Sequence, residues 1–301
     1  MSAAILPVLL LILLGVAIRQ SRWLPAEFFS SIEKFSFFIA FPALLFSATA
    51  QLDFHGAVAA QLALGSLLPS ALIVALTALG LLFAPALPGP SRSSVMQGAM
   101  RPNSYFGIAV GSLFFPAELT SLLVLTLALC LPVVNLVSVV VLCWWSGQKP
   151  NFRTVLWTIA RNPIILSTLA GLAWAQTGWP LPHALLATLK ILGQAALCLG
   201  LLCVGGGLIF SRQGQRPLAL LLTSALKLLL MPLLAFVACR ALSLPDSVTT
   251  VACFYCALPT APNAYIMARQ MGGDAPLMAS LITVQTLLAI VTVPLCMGLL
   301  G

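Results

Sequence analysis

Apolar residues dominate this chain in long runs, and polar residues collect in the short gaps between them. A helix needs about 20 apolar residues to cross a bilayer. Ten runs near that length follow one another, at 3–19, 34–51, 58–84, 94–115, 119–145, 155–177, 184–210, 218–243, 247–270 and 276–300. The gaps carry turn chemistry, as in Pro85 to Pro90, Gly147 to Pro150 and Gly178 to Pro182. None is long enough to separate two soluble domains. The pattern predicts an all-α, polytopic membrane protein of ten transmembrane helices.

The chain also resembles itself. The stretch LPVLLLILLGVAIRQSRWLP near the start runs parallel to NPIILSTLAGLAWAQTGWPLP from Asn162, aligning Pro7 with Pro163, Gly15 with Gly171, Gln20 with Gln176 and Trp23 with Trp179. At nearly the same offset, RPNSYFGIAVGSLFFP from Arg101 aligns with APNAYIMARQMGGDAP from Ala261, so that Pro102 meets Pro262, Asn103 meets Asn263 and Tyr105 meets Tyr265. Two such matches predict an internal duplication, with residues 1–150 as the first five-helix repeat and 151–301 as the second. An odd number of helices per repeat turns the second upside down. Inverted repeats are a common architecture of secondary transporters, whose sites lie near the bilayer midplane at broken helices.

Composition agrees with a lipid environment: 61% of residues are hydrophobic and 7% charged, against about half and a quarter in soluble chains. The net charge of +8 does not point to nucleic acid, because the basic residues sit between the apolar runs. Arg19, Arg22, Lys34, Arg92, Lys149, Arg153, Arg161, Arg212, Arg216 and Arg269 fall in or beside the odd-numbered gaps, while Arg240 falls on the other side. Basic loops stay in the cytoplasm, so both termini are expected outside. The first run has its basic residues after it rather than before, the reverse of a signal peptide, and is expected to be a retained helix.

The fourth and ninth runs each carry proline near the middle, Pro102 in one and Pro259 with Pro262 in the other. Proline removes a backbone donor and clashes with the preceding turn, so both helices should break. Broken backbone is tolerated in lipid only where protein or water covers it, and the second half-helix of each pair presents N–H groups suited to an anion. The candidate substrate-binding residues are therefore Arg101, Pro102, Asn103 and Tyr105 at one break, with Pro259, Thr260, Pro262, Asn263 and Tyr265 at the other. The plainer alternative is two proline kinks whose polar residues bond the backbone. Arg101 at mid-depth costs about 2.5–3.5 kcal/mol on insertion scales. It is either a counter-charge for an anion, or a fixed charge in place of a coupling cation, or a plug on the carbonyls freed by the break. Lys227, well inside the eighth run, either touches the pathway or snorkels towards the cytoplasm; Ser47 and Gln194 are further pathway candidates.

Other features point away from enzymes and cofactors. Glu27, Glu33, Asp53, Glu118, Asp246 and Asp274 fall at run ends or in gaps, so no mid-membrane carboxylate is expected to relay a proton or hold sodium. No HExxH, P-loop or magnesium-binding Asp pair occurs. His55 and His183 fall in outward gaps and read as interfacial. The CxxC of Cys253 and Cys256 has no partner pair, and its thiols read as small apolar filler. Gly107 with Gly111, and Gly205 to Gly207, read as sites of close helix packing. No metal or cofactor is expected.

These residues carry a family resemblance that covers essentially the whole chain. Pro102-Asn103-Ser104-Tyr105-Phe106-Gly107-Ile108 resembles the Pro-Asn-Thr stretch leading to Gly-Ile-Pro in the auxin efflux carrier family, which includes plant auxin exporters and bacterial carriers assigned to malate or malonate. Pro259 through Ala268 to Gly272-Gly273-Asp274, then Ser280 and Pro294, resembles its ninth and tenth helices. Phe41-Pro42-Ala43-Leu44-Leu45-Phe46 resembles its second, and Lys227 with Pro232 its eighth. The resemblance implies a fold similar to bile-acid symporters and sodium/proton antiporters. In it, helices 1, 2, 6 and 7 form a scaffold, dimeric through helices 2 and 7, and helices 3–5 and 8–10 form a moving domain in which helices 4 and 9 cross. It implies elevator-like transport of a small organic anion, such as an auxin-like carboxylate, malate or malonate, across the plasma membrane. A sensor or scaffold that kept the fold without transport is the alternative. Three departures stand out: Ala109 replaces the usual proline, Arg101 is an unusual charge at the crossover, and the long cytoplasmic loop of plant exporters is missing between Ser146 and Thr154.

Overall fold

The structure is a computed structural model and describes residues 2–21, 23–25, 27–51, 56–146, 160–161, 163–207 and 216–300. Arg22, Asp53, His55, Lys149, Arg153, Arg212 and the first part of the sixth run lie outside the described residues. Among the described residues every regular element is helical. The helices are α1 (Ser2–Ser21), α2 (Phe28–Thr49), α3 (Gly56–Leu82), α4 (Gly89–Met100), α5 (Ser104–Phe114), α6 (Ala117–Ser146), α7 (Pro163–Gln176), α8 (His183–Gly207), α9 (Pro217–Ala241), α10 (Asp246–Ala257), α11 (Asn263–Gln270) and α12 (Ala275–Leu300). Six of them, α2, α3, α6, α8, α9 and α12, are long and apolar enough to cross a membrane. Their outward faces are Leu, Ile, Phe and Val, and Leu218 and Leu221 at 68% and 67% exposure make sense only against lipid. Exposed Trp23, Trp144 and Trp179 lie at or near helix ends, the place of an interfacial belt. The protein is a polytopic, α-helical membrane protein.

Prolines set the local shape. In α2 and α9 a π-helical turn, Ser36–Ala40 and Leu226–Leu230, comes just before Pro42 and Pro232. The wider turn relieves the clash between the proline ring and the carbonyl four residues back. In α9 that carbonyl belongs to Leu228, and the Cys296 thiol from α12 donates to it. In the chain between α4 and α5, and again between α10 and α11, the helix stops altogether.

Helix α10 sits at the centre, with Val251 to Leu258 all fully buried. Cys253 and Cys256 are free thiols in this core, and no metal-binding cluster occurs among the described residues. The glycine patches serve close approach. A Cβ on Gly205 would overlap the Ile12 carbonyl of α1, and one on Gly206 the Phe29 ring. At Gly107 and Gly111 it would meet Leu258 and Leu123. Arg19 at the end of α1 donates to the Gly206 carbonyl, capping α8.

Asp274 is a clamp between the start of α12 and the start of α4. Its carboxylate accepts from Ser91 Oγ at 2.6 Å and from the Leu277 N–H at 3.0 Å, and its own N–H donates to the Pro90 carbonyl at 3.0 Å. Arg216, just before α9, lies 3.8 Å from the same carboxylate.

Glu33 requires a correction. The second run is taken above to begin at residue 34, which leaves Glu33 in a gap. Helix α2 begins at Phe28, so Glu33 lies inside it. The carboxylate is half-buried and close enough to Tyr105 and Cys203 to act on both electrostatically.

Candidate functional site

The backbone leaves helix α4 at Arg101, whose extended conformation (φ −83°, ψ 116°) suits a residue before proline. It re-enters at Ser104 with Asn103 as N-cap, the Asn103 Oδ1 accepting from the Phe106 N–H at 3.1 Å. The second break runs from Leu258 to Pro262, with Pro262 as N-cap of α11. The two breaks touch: the Asn103 N–H donates to the Pro259 carbonyl at 2.8 Å. Around this contact lies a buried polar lattice. Thr260 Oγ1 is 2.9 Å from the Gly98 carbonyl and 2.7 Å from Gln285 Oε1. The Thr260 N–H donates to Gln285 Oε1, and Gln285 Nε2 to the Gly98 carbonyl, both at 3.0 Å. In this way α12 supplies the partners that two interrupted helices lack.

Beside the contact is a small cavity of about 50 Å³, lined by Phe37, Arg101, Pro102, Ser104, Tyr105, Leu131, Asn135, Ala261 and Asn263. The first turns of α5 and α11 both reach it, so two positive helix ends open there. Arg101, 3% exposed, is the cation in its lining. Its Nη2 donates to Asn135 Oδ1 at 2.7 Å and its Nη1 to Met267 Sδ. The guanidinium therefore bonds neither of the carbonyls freed at the breaks. That place is taken by Lys227, whose Nζ donates to the Met100 carbonyl at 3.4 Å and to Met231 Sδ at 3.2 Å. Lys227 is fully buried, so its ammonium does not snorkel; the π turn holds it inwards against α4.

The residues expected from sequence fall into groups. Arg101, Pro102, Tyr105 and Asn263 line the cavity, with Tyr105 stacked on Phe41 at 4.6 Å between ring centroids. Asn103, Pro259 and Thr260 make the frame behind it, and the Asn103 Nδ2 is buried without a partner in the protein. Pro262 caps α11, and Tyr265 packs with Ala264, Ala268, Met278 and Ile282. Ser47 donates to the Leu44 carbonyl and Gln194 is exposed on α8; neither lines this cavity.

Asn135 and Gln285 were missed in reading the sequence. Each is the one amide in a long apolar helix, and a strongly polar group inside such a run is a functional candidate in itself. Position in the chain gave no hint that Asn135 faces Arg101, because the two lie on separate helices.

Comparisons with known proteins agree with this picture. Residues 148–297 match the family described as "Membrane transport protein". A protein of Rhizobium meliloti (strain 1021) named "Putative malonate transporter" is 26% identical over 305 residues, covering 96% of this chain and 92% of that protein. With the Pro-Asn motifs at both breaks and an all-helical membrane fold around them, the chain belongs to the auxin efflux carrier family of membrane transport proteins.

Proposed function

We propose that the protein is a secondary transporter that carries a small organic anion, of the malonate or malate kind, through the cavity at the two helix breaks. One observation carries this reading: a buried guanidinium lines a cavity at two half-helix N-termini, and no carboxylate lines it with them. An anion there gains charge-assisted hydrogen bonds and offsets the positive character of the empty site. Four polar side chains besides Arg101, those of Ser104, Tyr105, Asn135 and Asn263, add neutral donors and acceptors. The cavity has room for roughly three or four waters, so Phe37 and Leu131 must shift to admit a dicarboxylate. Malonate is the natural first probe, given the name of the Rhizobium relative.

The wider frame of the proposal is ten spans in two inverted repeats, 1–150 and 151–301, joined as a dimer through α2 and α8. Alternating access is elevator-like, with the cavity moving between the two sides of the plasma membrane. Both termini lie outside; Lys190, exposed on α8, joins Arg240 on that side and leaves the cytoplasmic excess of basic residues intact. Uptake of radiolabelled malonate and malate into liposomes holding the purified protein tests the reading. Saturable uptake is expected. Binding without uptake would favour a sensor on the same fold, and neither binding nor uptake of any small carboxylate would refute the proposal.

A further inference from the structure

Lys227 bonds the Met100 carbonyl at the first break but does not line the cavity, and its surroundings are unusual for a cation. It is fully buried in the π turn of α9. The elements packed against that turn are α4, α10 and α12. On α10 the titratable group acting on Lys227 is the Cys256 thiol, and on α12 the Cys296 thiol is committed to the Leu228 carbonyl. On α4, Arg92 is tied to the Ala84, Pro85 and Leu87 carbonyls far from the break. Arg101 follows α4 directly. No carboxylate among the described residues pairs with Lys227.

The acceptors of Lys227 are the Met100 carbonyl and the Met231 thioether, both uncharged. An amine has two N–H donors and an ammonium three, so two neutral acceptors satisfy the amine completely and leave one N–H of the ammonium over. Met100 is also the residue before Arg101, which places a second cation at the same break. Arginine does not give up its proton, whereas a buried lysine can. An empty site with two cations and no anion is relieved when Lys227 is the neutral amine. An anion on Arg101 reverses that balance.

We propose that Lys227 is a proton site coupled to the anion site, so that the chain takes up a proton on Nζ as it binds its anion and carries the two together. The inference rests on the anion reading above. The step balances simply: the amine lone pair takes a proton from water to become the ammonium, and returns it to water when the anion leaves on the other side. A groove of about 510 Å³ between α3 and α9 extends from Arg216 to Thr223 and Leu226, the turn before Lys227. Thr223 lines this groove with its hydroxyl unpartnered in the protein, and the Ser224 hydroxyl and the Gln97 amide are further buried polar groups without partners in the protein. Because linkage is reciprocal, the anion must raise proton affinity by the same factor as the proton raises anion affinity.

The test is malonate binding by the purified wild type, Lys227→Met, Lys227→Arg and Glu33→Gln. Calorimetry in two buffers of different ionisation enthalpy, between about pH 7 and pH 10, well above carboxyl titration, counts protons taken up. Wild type should take up a proton with malonate, and its affinity should fall by up to about tenfold per pH unit at the alkaline end. Lys227→Met should bind more weakly, with no uptake and no alkaline loss. It is nearly the same shape as lysine and suits a buried position, so folding is not at risk. Lys227→Arg, where it folds, should bind without uptake because its charge is permanent. Glu33→Gln should behave as wild type. Malonate binding without proton uptake by wild type would overturn this inference and leave the anion reading standing. So would uptake that survives Lys227→Met, or that is lost in Glu33→Gln. A wild type that binds no small carboxylate would remove both.

Discussion

Replacing Arg101 with glutamine removes the cation from the cavity while keeping a polar side chain of fair length. The guanidinium has five N–H donors, and two of them are spent on Asn135 Oδ1 and Met267 Sδ. The others remain for a ligand in the cavity that Arg101 lines. A hydrogen bond to a charged group contributes about 1.5–3 kcal/mol, and burial keeps solvent from screening it. Losing one such bond therefore weakens malonate binding by roughly ten- to a hundredfold, at about 1.4 kcal/mol per factor of ten. Arg101→Lys should recover part of the loss, since an ammonium restores charge but not the planar fork. Stability should change little, because exchanging a buried charge for a neutral group also removes its desolvation cost. Isothermal titration of detergent-purified protein, beside a thermal unfolding curve for each variant, measures both quantities. If Arg101→Gln binds malonate as tightly as wild type, the guanidinium is a strut for Asn135 and the anion site lies elsewhere.

The two motif asparagines should part company. Asn103→Ala loses the cap of α5 and should cost about 1 kcal/mol of stability with binding largely kept, whereas Asn263→Ala should weaken malonate binding at unchanged melting temperature; the same pair of assays separates them. Gln285→Leu strands the buried Thr260 N–H, leaving the Thr260 hydroxyl as the partner of the Gly98 carbonyl, and should destabilise the protein by about 1–3 kcal/mol, visible as a lower melting temperature, while Gln285→Glu should be worse still unless it is protonated. Reporter fusions at Ser146 and Ser211 should read cytoplasmic and one at Gly301 external; a cytoplasmic C-terminus would mean that a span is miscounted. 

Much of this protein is decided locally, and so is legible in the sequence. Apolar runs of bilayer length make membrane helices whatever they pack against, because unpaired backbone is too costly in lipid. Pro102, Pro259 and Pro262 interrupt their helices because proline lacks the N–H that the turn requires. Arg101 inside an apolar run marks a site by its cost alone. Direction in space is another matter. Asn103 and Asn263 stand in matching motifs, yet one is buried behind the cavity and the other lines it, because each half-helix is rotated by its own packing. Asn135 faces Arg101, and Gln285 bridges Thr260 and Gly98, across helices far apart in the chain. Lys227 turns inwards to the Met100 carbonyl rather than out to the surface because a π turn ahead of Pro232 rotates it there. The breaks follow from the chemistry of single residues; which groups meet at them depends on how the helices pack, and only the tertiary structure decides that.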